Sequence, residues 1–474
     1  MDGRTDRRTD RQTAIYDHIS MWAYKNYRPV SNLSFLSKTL ERVIASQIIN
    51  HVCDNNLMEQ LQSAYRRFHS TETALVRVHN DINLSLDNRD CVLLVLLDLS
   101  AAFDTVDHDI LFHRLESEFG ISGNALKLLE SYIKGRSQCV VVNGMSSAPR
   151  TLTSGVPQGS VLGPILFSLY TKPLGNIVRK HGLSFHLYAD DTQLYISFKP
   201  SQSYFSYSKL NMQNCISDIK MWMSNNFFKL NDDNTEYLII GSNTNLNKLS
   251  DTPVQVGQNY ITPSKSARNI GVIFDCQMSM ESHINSICKT GYFNLRNISK
   301  IKKYISTDAM KTLINSLVTS RIDHSNSLLY GTPAKHLDKL QKLQNSAARL
   351  ISGSSYRDHI SPVLYELHWL PIVFRIEYKI SLLTYKCLNN LIPSYLSDLI
   401  YLYKPSRQLR SSEDRYLLVE KKANLVSFGN KAFSVASPKL WNKLPYIIRS
   451  SESLPVFKSQ LKTFLFKKAF LTSP

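Results

Sequence analysis

The chain has 474 residues, 43% of them hydrophobic, which allows roughly two to four domains with a sizeable core and excludes a disordered or fibrous polypeptide. Its 56 Lys+Arg against 38 Asp+Glu give a formal charge of +18, pointing to a polyanionic partner, nucleic acid before an anionic membrane surface. Seven single cysteines without zinc spacing, no signal peptide and a strongest apolar run of only Cys91 to Leu97 predict reduced thiols, an intracellular location and no membrane partner.

Residues 1–21 hold a near-repeat of mixed charge, Arg4-Thr5-Asp6-Arg7-Arg8-Thr9-Asp10-Arg11, and are expected to be a disordered low-complexity leader. After Asn26-Tyr27-Arg28-Pro29, the residues Leu36, Leu40, Val43, Ile44 and Ile48 recur at helical spacing. In Gln62-Ser63-Ala64-Tyr65-Arg66-Arg67-Phe68-His69-Ser70-Thr71, Thr71 is expected to cap a helix running toward Leu86. The arginine pair ahead of it suits a triphosphate as well as it suits a solvated basic turn.

Cys91 to Leu99 is apolar on both faces, as a central strand buried between layers must be, and it carries Asp98 at its end. Helices are predicted over 107–119 and 121–133, then a hairpin over 140–153. The glycines of the stretch from Gly155 to Phe167 let backbone approach a ligand, and a helix is predicted to continue to about Val178. In the stretch from Phe185 to Ile196, two strands meet at a tight turn bearing Asp190 and Asp191. A lone Asp-Asp pair is commonly a solvated turn, but with Asp98 there are three carboxylates at strand ends, which is a two-metal site in outline.

Further on, the pattern predicts a helix over 205–225 and strands over 235–240 and 268–275. A helical stretch over 280–322 carries Lys289, Arg296, Lys300, Lys302, Lys303 and Lys311, either as a solvated face or as a nucleic-acid surface. Helices follow over 334–351 and 375–388, with His368-Trp369-Leu370-Pro371 between them, and the aromatics and prolines of 433–445 are expected to fill a small core. From Gly331 to Pro474 there are 22 Lys+Arg against 9 Asp+Glu, which predicts a grip on a nucleic-acid backbone.

Three of these stretches resemble, in order, the palm motifs of a reverse transcriptase of the non-LTR (LINE-type) retrotransposon class: Asp98-Leu99-Ser100-Ala101-Ala102-Phe103-Asp104-Thr105-Val106-Asp107-His108, then Gly155 to Phe167, then Tyr188 to Asp191. The resemblance reaches upstream to Asn26 and downstream to the carboxyl end. It implies an α+β right-hand polymerase with fingers, a ferredoxin-like palm and a helical thumb, followed by a mostly helical basic C-terminal region. On that reading 22–275 are fingers and palm, 276–330 the thumb, and 331–474 a region of unknown function.

The resemblance also implies a function, RNA-directed DNA polymerase, with an RNA template, a DNA primer or nicked target DNA, and dNTPs as partners. The alternative is a catalytically weak or inactive RNA-binding remnant. Asp98, Asp190 and Asp191 are the implied catalytic residues and, with the carbonyl of Leu99, the ligands of two Mg²⁺ ions for which Mn²⁺ can substitute. Arg66, Phe103, Gln158, Gly159 and Ala189 are the implied nucleotide-binding residues, with Phe103 against the sugar. Where the family commonly shows a lysine this chain has Asn234, so Lys229 is the candidate proton donor. The short stretch ahead of Trp22 suggests an amino-terminally truncated copy lacking the endonuclease domain.

Overall fold

A computed structural model describes residues 30–31, 33–100, 102–231, 234–250, 253–256, 259–404 and 416–471. The expected leader, Arg28 with its neighbours, and residues 405–415 lie outside the described residues. The chain folds as two compact units, 1–57 with 103–170 and 58–102 with 171–474.

The larger unit is built on a four-stranded antiparallel sheet of β1 (Cys91–Leu97), β2 (Ser184–Tyr188), β3 (Asp191–Phe198) and β4 (Glu236–Ile240), in the order β4-β1-β3-β2. A run of seven apolar residues needs cover on both faces, and all seven residues of β1 are buried between two neighbouring strands. In the β2–β3 hairpin Tyr188 pairs with Asp191, which leaves Ala189 and Asp190 alone to make the turn. The free edge of β2 is taken up by the segment before the arginine pair. There the Ser63 N–H donates to the Leu187 carbonyl and the Leu187 N–H to that of Leu61, each at 2.9 Å.

The helix Thr71–Asp87 sends Leu75, Val78, Ile82 and Leu86 into the core at helical spacing. Its cap is Ser70 and not Thr71. The capping side chain must sit on extended backbone just outside the first turn, and there the Ser70 hydroxyl accepts the Thr73 N–H while the Thr73 hydroxyl accepts that of Ser70.

Other expected elements are interrupted. The strand expected over 268–275 is a hairpin, Ser266–Asn269 with Val272–Asp275, because Ile270 (φ 42°) and Gly271 (φ 86°) turn the chain back. The helical stretch over 280–322 is interrupted after Glu281–Ile301, with Ser306 capping a fresh start at Ala309 N–H, and the second run, Thr307–Ile314 and Ser320–Asp323, continues through a π-helical turn at Asn315–Thr319. The helix expected to reach Val178 is two, Leu162–Tyr170 and Pro173–Lys180. Pro173 has no N–H and its ring clashes with the carbonyl four residues back, whereas it suits the first turn of a new helix.

The helices Ile372–Leu388, Phe433–Trp441 and Leu454–Phe470 belong to the same unit as the sheet. Buried Tyr385 stacks on Phe457 at 4.2 Å with Trp441 beside it. Polar contacts tie this part to the helix Thr71–Asp87: Lys379 pairs with Glu72 at 3.1 Å, and Asp87 accepts the amides of Asn424 and Leu425. In the smaller unit the main helices are Phe35–Asp54, His108–Ser117, Gly123–Ile133 and Leu162–Tyr170. Among the described residues no helix is long and apolar enough to cross a membrane.

Candidate active site

Three carboxylates converge at one end of the sheet. Leu97, the last residue of β1, pairs with Thr192, so Asp98 arrives one step further along, beside the turn that carries Asp190 and Asp191. Their mutual influence is visible in Asp191, whose carboxyl is pushed up to about 6 by loss of hydration and then by the charges of Asp190 and Asp98. Asp98 Oδ2 accepts the side-chain amides of Asn231 (3.1 Å) and Asn234 (3.0 Å), and its carbonyl accepts the Asn231 N–H. Asn234 is therefore a neighbour of the carboxylate itself. Leu99 is buried and pairs with Leu230, while Lys229, opposite Ser100, is exposed.

A set of carboxylate oxygens suits a hard divalent cation, and three like charges at one turn favour one. As the side chains stand, however, no group of three or more His, Cys, Asp or Glu among the described residues is arranged to hold a metal ion. One oxygen of Asp98 is already engaged by two amides, with which a cation would compete.

The turn is a strained piece of backbone. Ala189 has φ 56°, in the left-handed region that a residue with a Cβ adopts at a cost of about 1–2 kcal/mol. Gln62, a residue to which the sequence assigned no role, bonds both polar groups of Ala189. Next along that segment, Tyr65 (φ 59°, 49% exposed) has its hydroxyl pKa raised by burial and by the charges of Asp190 and Tyr188. Half-buried Arg66 donates through Nη1 to the carbonyls of Glu59 (2.7 Å) and Gln62 (3.1 Å), so part of its guanidinium closes its own loop. That loop is anchored by Glu59, 6% exposed and gripped at both oxygens by Arg179.

The other expected nucleotide residues lie in the smaller unit. Phe103 is half-buried and stacked on Phe167, with ring centroids 4.5 Å apart. Gln158 Nε2 donates to Asp104 Oδ1 at 2.8 Å, and Gly159 has φ 87°, where an added Cβ would stand 3.2 Å from Val30 Cγ1. Ser31, Asp104, Arg136 and Gln158 line a cavity of about 290 Å³. Buried Glu41, unremarked among the helical positions of the sequence, accepts the N–H groups of Val161 and Leu162 and so caps the helix that follows the glycine loop.

Over residues 18–274, more than half of the chain, the sequence matches the family described as reverse transcriptase (RNA-dependent DNA polymerase). The chain belongs to that family, whose members work with divalent metal ions, and its fold class is the α+β right-hand polymerase. It is 26% identical over 342 residues to the probable RNA-directed DNA polymerase from transposon BS of Drosophila melanogaster, covering 70% of this chain and 37% of that protein. It is also 26% identical over 341 residues to the RNA-directed DNA polymerase from mobile element jockey of Drosophila funebris, covering 70% and 36%. The chain thus spans little more than a third of the length of the curated relatives it matches. Among solved structures it is similar to an apo telomerase from Candida tropicalis, with 11% identity and a TM-score of 0.39 over 82% of this chain and 63% of that one.

Proposed function

We propose that this chain is an RNA-directed DNA polymerase of a non-LTR retrotransposon, adding dNTPs to a DNA 3′ end paired with an RNA template. The observation that carries the reading is the meeting of Asp98, Asp190 and Asp191 at one end of the sheet, close enough for their charges to raise Asp191, in a chain of this family. Two Mg²⁺ ions, replaceable by Mn²⁺, held by these carboxylates and the Leu99 carbonyl, would supply an activated primer 3′-hydroxyl and a neutralised triphosphate.

The remaining roles fall to side chains and backbone. Arg66, whose guanidinium also closes its own loop, would meet the phosphate oxygens of the triphosphate. Phe103, braced by Phe167, presses a flat ring where a 2′-hydroxyl would need room. Gln158 and Gly159 line the nucleotide and Ala189 lies at the primer end. Exposed Lys229 donates a proton to the departing pyrophosphate, a role the Asn234 amide cannot perform. The excess of Lys and Arg holds template and primer, or a nicked target DNA, by their phosphates.

Primer extension tests this. The full chain with Mg²⁺ should extend oligo(dT) on poly(rA), and Asp190→Asn should abolish the extension, because one fewer ligand charge leaves the reacting phosphate uncompensated. Equal extension by wild type and mutant would defeat the assignment.

A further inference from the structure

The carboxylate turn has no glycine to absorb its left-handed backbone, so something outside the turn must hold it. Gln62 is 2% exposed, and its side-chain amide meets Ala189 twice. Oε1 accepts the Ala189 N–H at 3.0 Å, and Nε2 donates to the Ala189 carbonyl at 3.2 Å. The same Oε1 accepts the Ala64 N–H at 3.0 Å, which ties the clamp to its own segment. A carboxamide offers an acceptor and a donor at this reach without a charge.

Gln62 is in turn held from behind. Ser63 Oγ lies 2.7 Å from His186 Nε2 and 2.8 Å from Tyr395 Oη, and Tyr395 Oη donates to Thr73 Oγ1 at 3.1 Å. Because the Tyr395 proton goes to Thr73, Tyr395 must accept from Ser63, and Ser63 must accept from His186 Nε2–H. The result is a one-way chain of hydrogen bonds through buried groups, from β2 to the helix Thr71–Asp87. Tyr395 is 5% exposed, and its carbonyl also accepts from Arg77 Nη1 at 2.8 Å. None of these groups carries reacting atoms; they act on the site through the backbone of the turn.

We infer that Gln62, backed by Ser63 and Tyr395, is the positioning residue of the polymerase carboxylates, and that the C-terminal region contributes to catalysis by supplying Tyr395. The inference rests on the polymerase reading of the site. Substituting Gln62 by Leu keeps the volume and removes the bonds to Ala189. Misplacement of a reacting group by about 1 Å can cost on the order of 10²-fold in rate.

The test uses full-length Gln62→Leu, Gln62→Glu and Tyr395→Phe, with two readouts. Amide hydrogen exchange across 187–191 should speed up in Gln62→Leu while the rest of the sheet stays protected. The single-turnover extension rate should fall on the order of 10²-fold with the dNTP affinity unchanged. Gln62→Glu loses the neutral donor and sets a further charge beside the carboxylates, so it should fall at least as far as Gln62→Leu, and Tyr395→Phe should lose less than Gln62→Leu. Adding Ala189→Gly to Gln62→Leu should restore part of the rate, since glycine takes positive φ unaided; a residue that merely fills space would show no such rescue. Should Gln62→Leu fail to fold, Gln62→Glu and Tyr395→Phe carry both readouts. Unchanged exchange and wild-type rates in the folded variants overturn the inference. A wild type that extends no primer defeats the polymerase reading instead, and exchange at 187–191 still decides whether Gln62 holds the turn.

Discussion

The glycine loop of the smaller unit and the carboxylate turn of the larger one both need backbone that ordinary residues avoid, and they obtain it by opposite means. In the loop the Cβ is missing. At Gly155 (φ 90°) an added Cβ would stand 2.9 Å from the Asp104 carbonyl oxygen, and at Gly163, on helical backbone just past the loop, the close approach alone excludes it, 2.6 Å from the Pro157 carbonyl oxygen. In the turn the Cβ of Ala189 is present, and the strained φ is held by Gln62 from 127 residues away. A loop that lacks a side chain is closed from within, whereas a turn that keeps one depends on its surroundings, and that dependence exposes it to changes elsewhere in the unit.

Acid should separate the two first. His79 and His186, both in the larger unit, are pushed down to about 3, chiefly by burial, with the charges of Lys431 on His79 and of Arg77 and His69 on His186 adding to it. A histidine whose folded pKa lies below its unfolded value of about 6.5 leaves stability intact above pH 6.5. That stability is lost as pH falls from there toward 3, because only the unfolded state takes up the proton. At pH 5 each would cost roughly 2 kcal/mol, about 4 kcal/mol for the pair. Hydrogen exchange at pH 7.5 and pH 5, corrected for intrinsic rates, should show the core strands of the larger unit losing protection. Equal protection at both values would mean that these rings are not held neutral.

Substitution should then divide them by sign. Gly163→Ala forces a methyl group against a carbonyl and should lower stability by about 1–3 kcal/mol, read as a shift in the urea midpoint. Ala189→Gly removes a Cβ from positive φ, and the relief opposes the greater freedom of the unfolded chain, so stability should stay within about 1 kcal/mol of wild type. If Gly163→Ala were tolerated and Ala189→Gly were not, the contrast between the two pieces of backbone would be reversed.

What stands in consecutive residues was legible in the sequence. Asp98, Asp190 and Asp191 stand out because carboxylates at the ends of apolar runs have no packing purpose, and the sheet does bring them to one end. The glycines of the loop were legible for the same local reason. Gln62, Glu41 and Tyr395 were not, because their purpose is a contact with backbone or side chain 120 or more residues away. Boundaries failed where one residue outweighs a periodic pattern: Pro173 ended a helix, Gly271 folded a strand back on itself, and Ser70 displaced its neighbour as cap. The Asn234 amide on Asp98 was equally hidden, since the resemblance names the residue at a position and not what it touches.

The most direct measurement is a run-off reaction on an RNA of mixed sequence with an annealed DNA primer, all four dNTPs and Mg²⁺, followed by sequencing of the product. The account predicts DNA complementary to the RNA from the wild-type chain and none from folded Asp98→Asn. No product from a folded wild type, or the same product from both proteins, would contradict it.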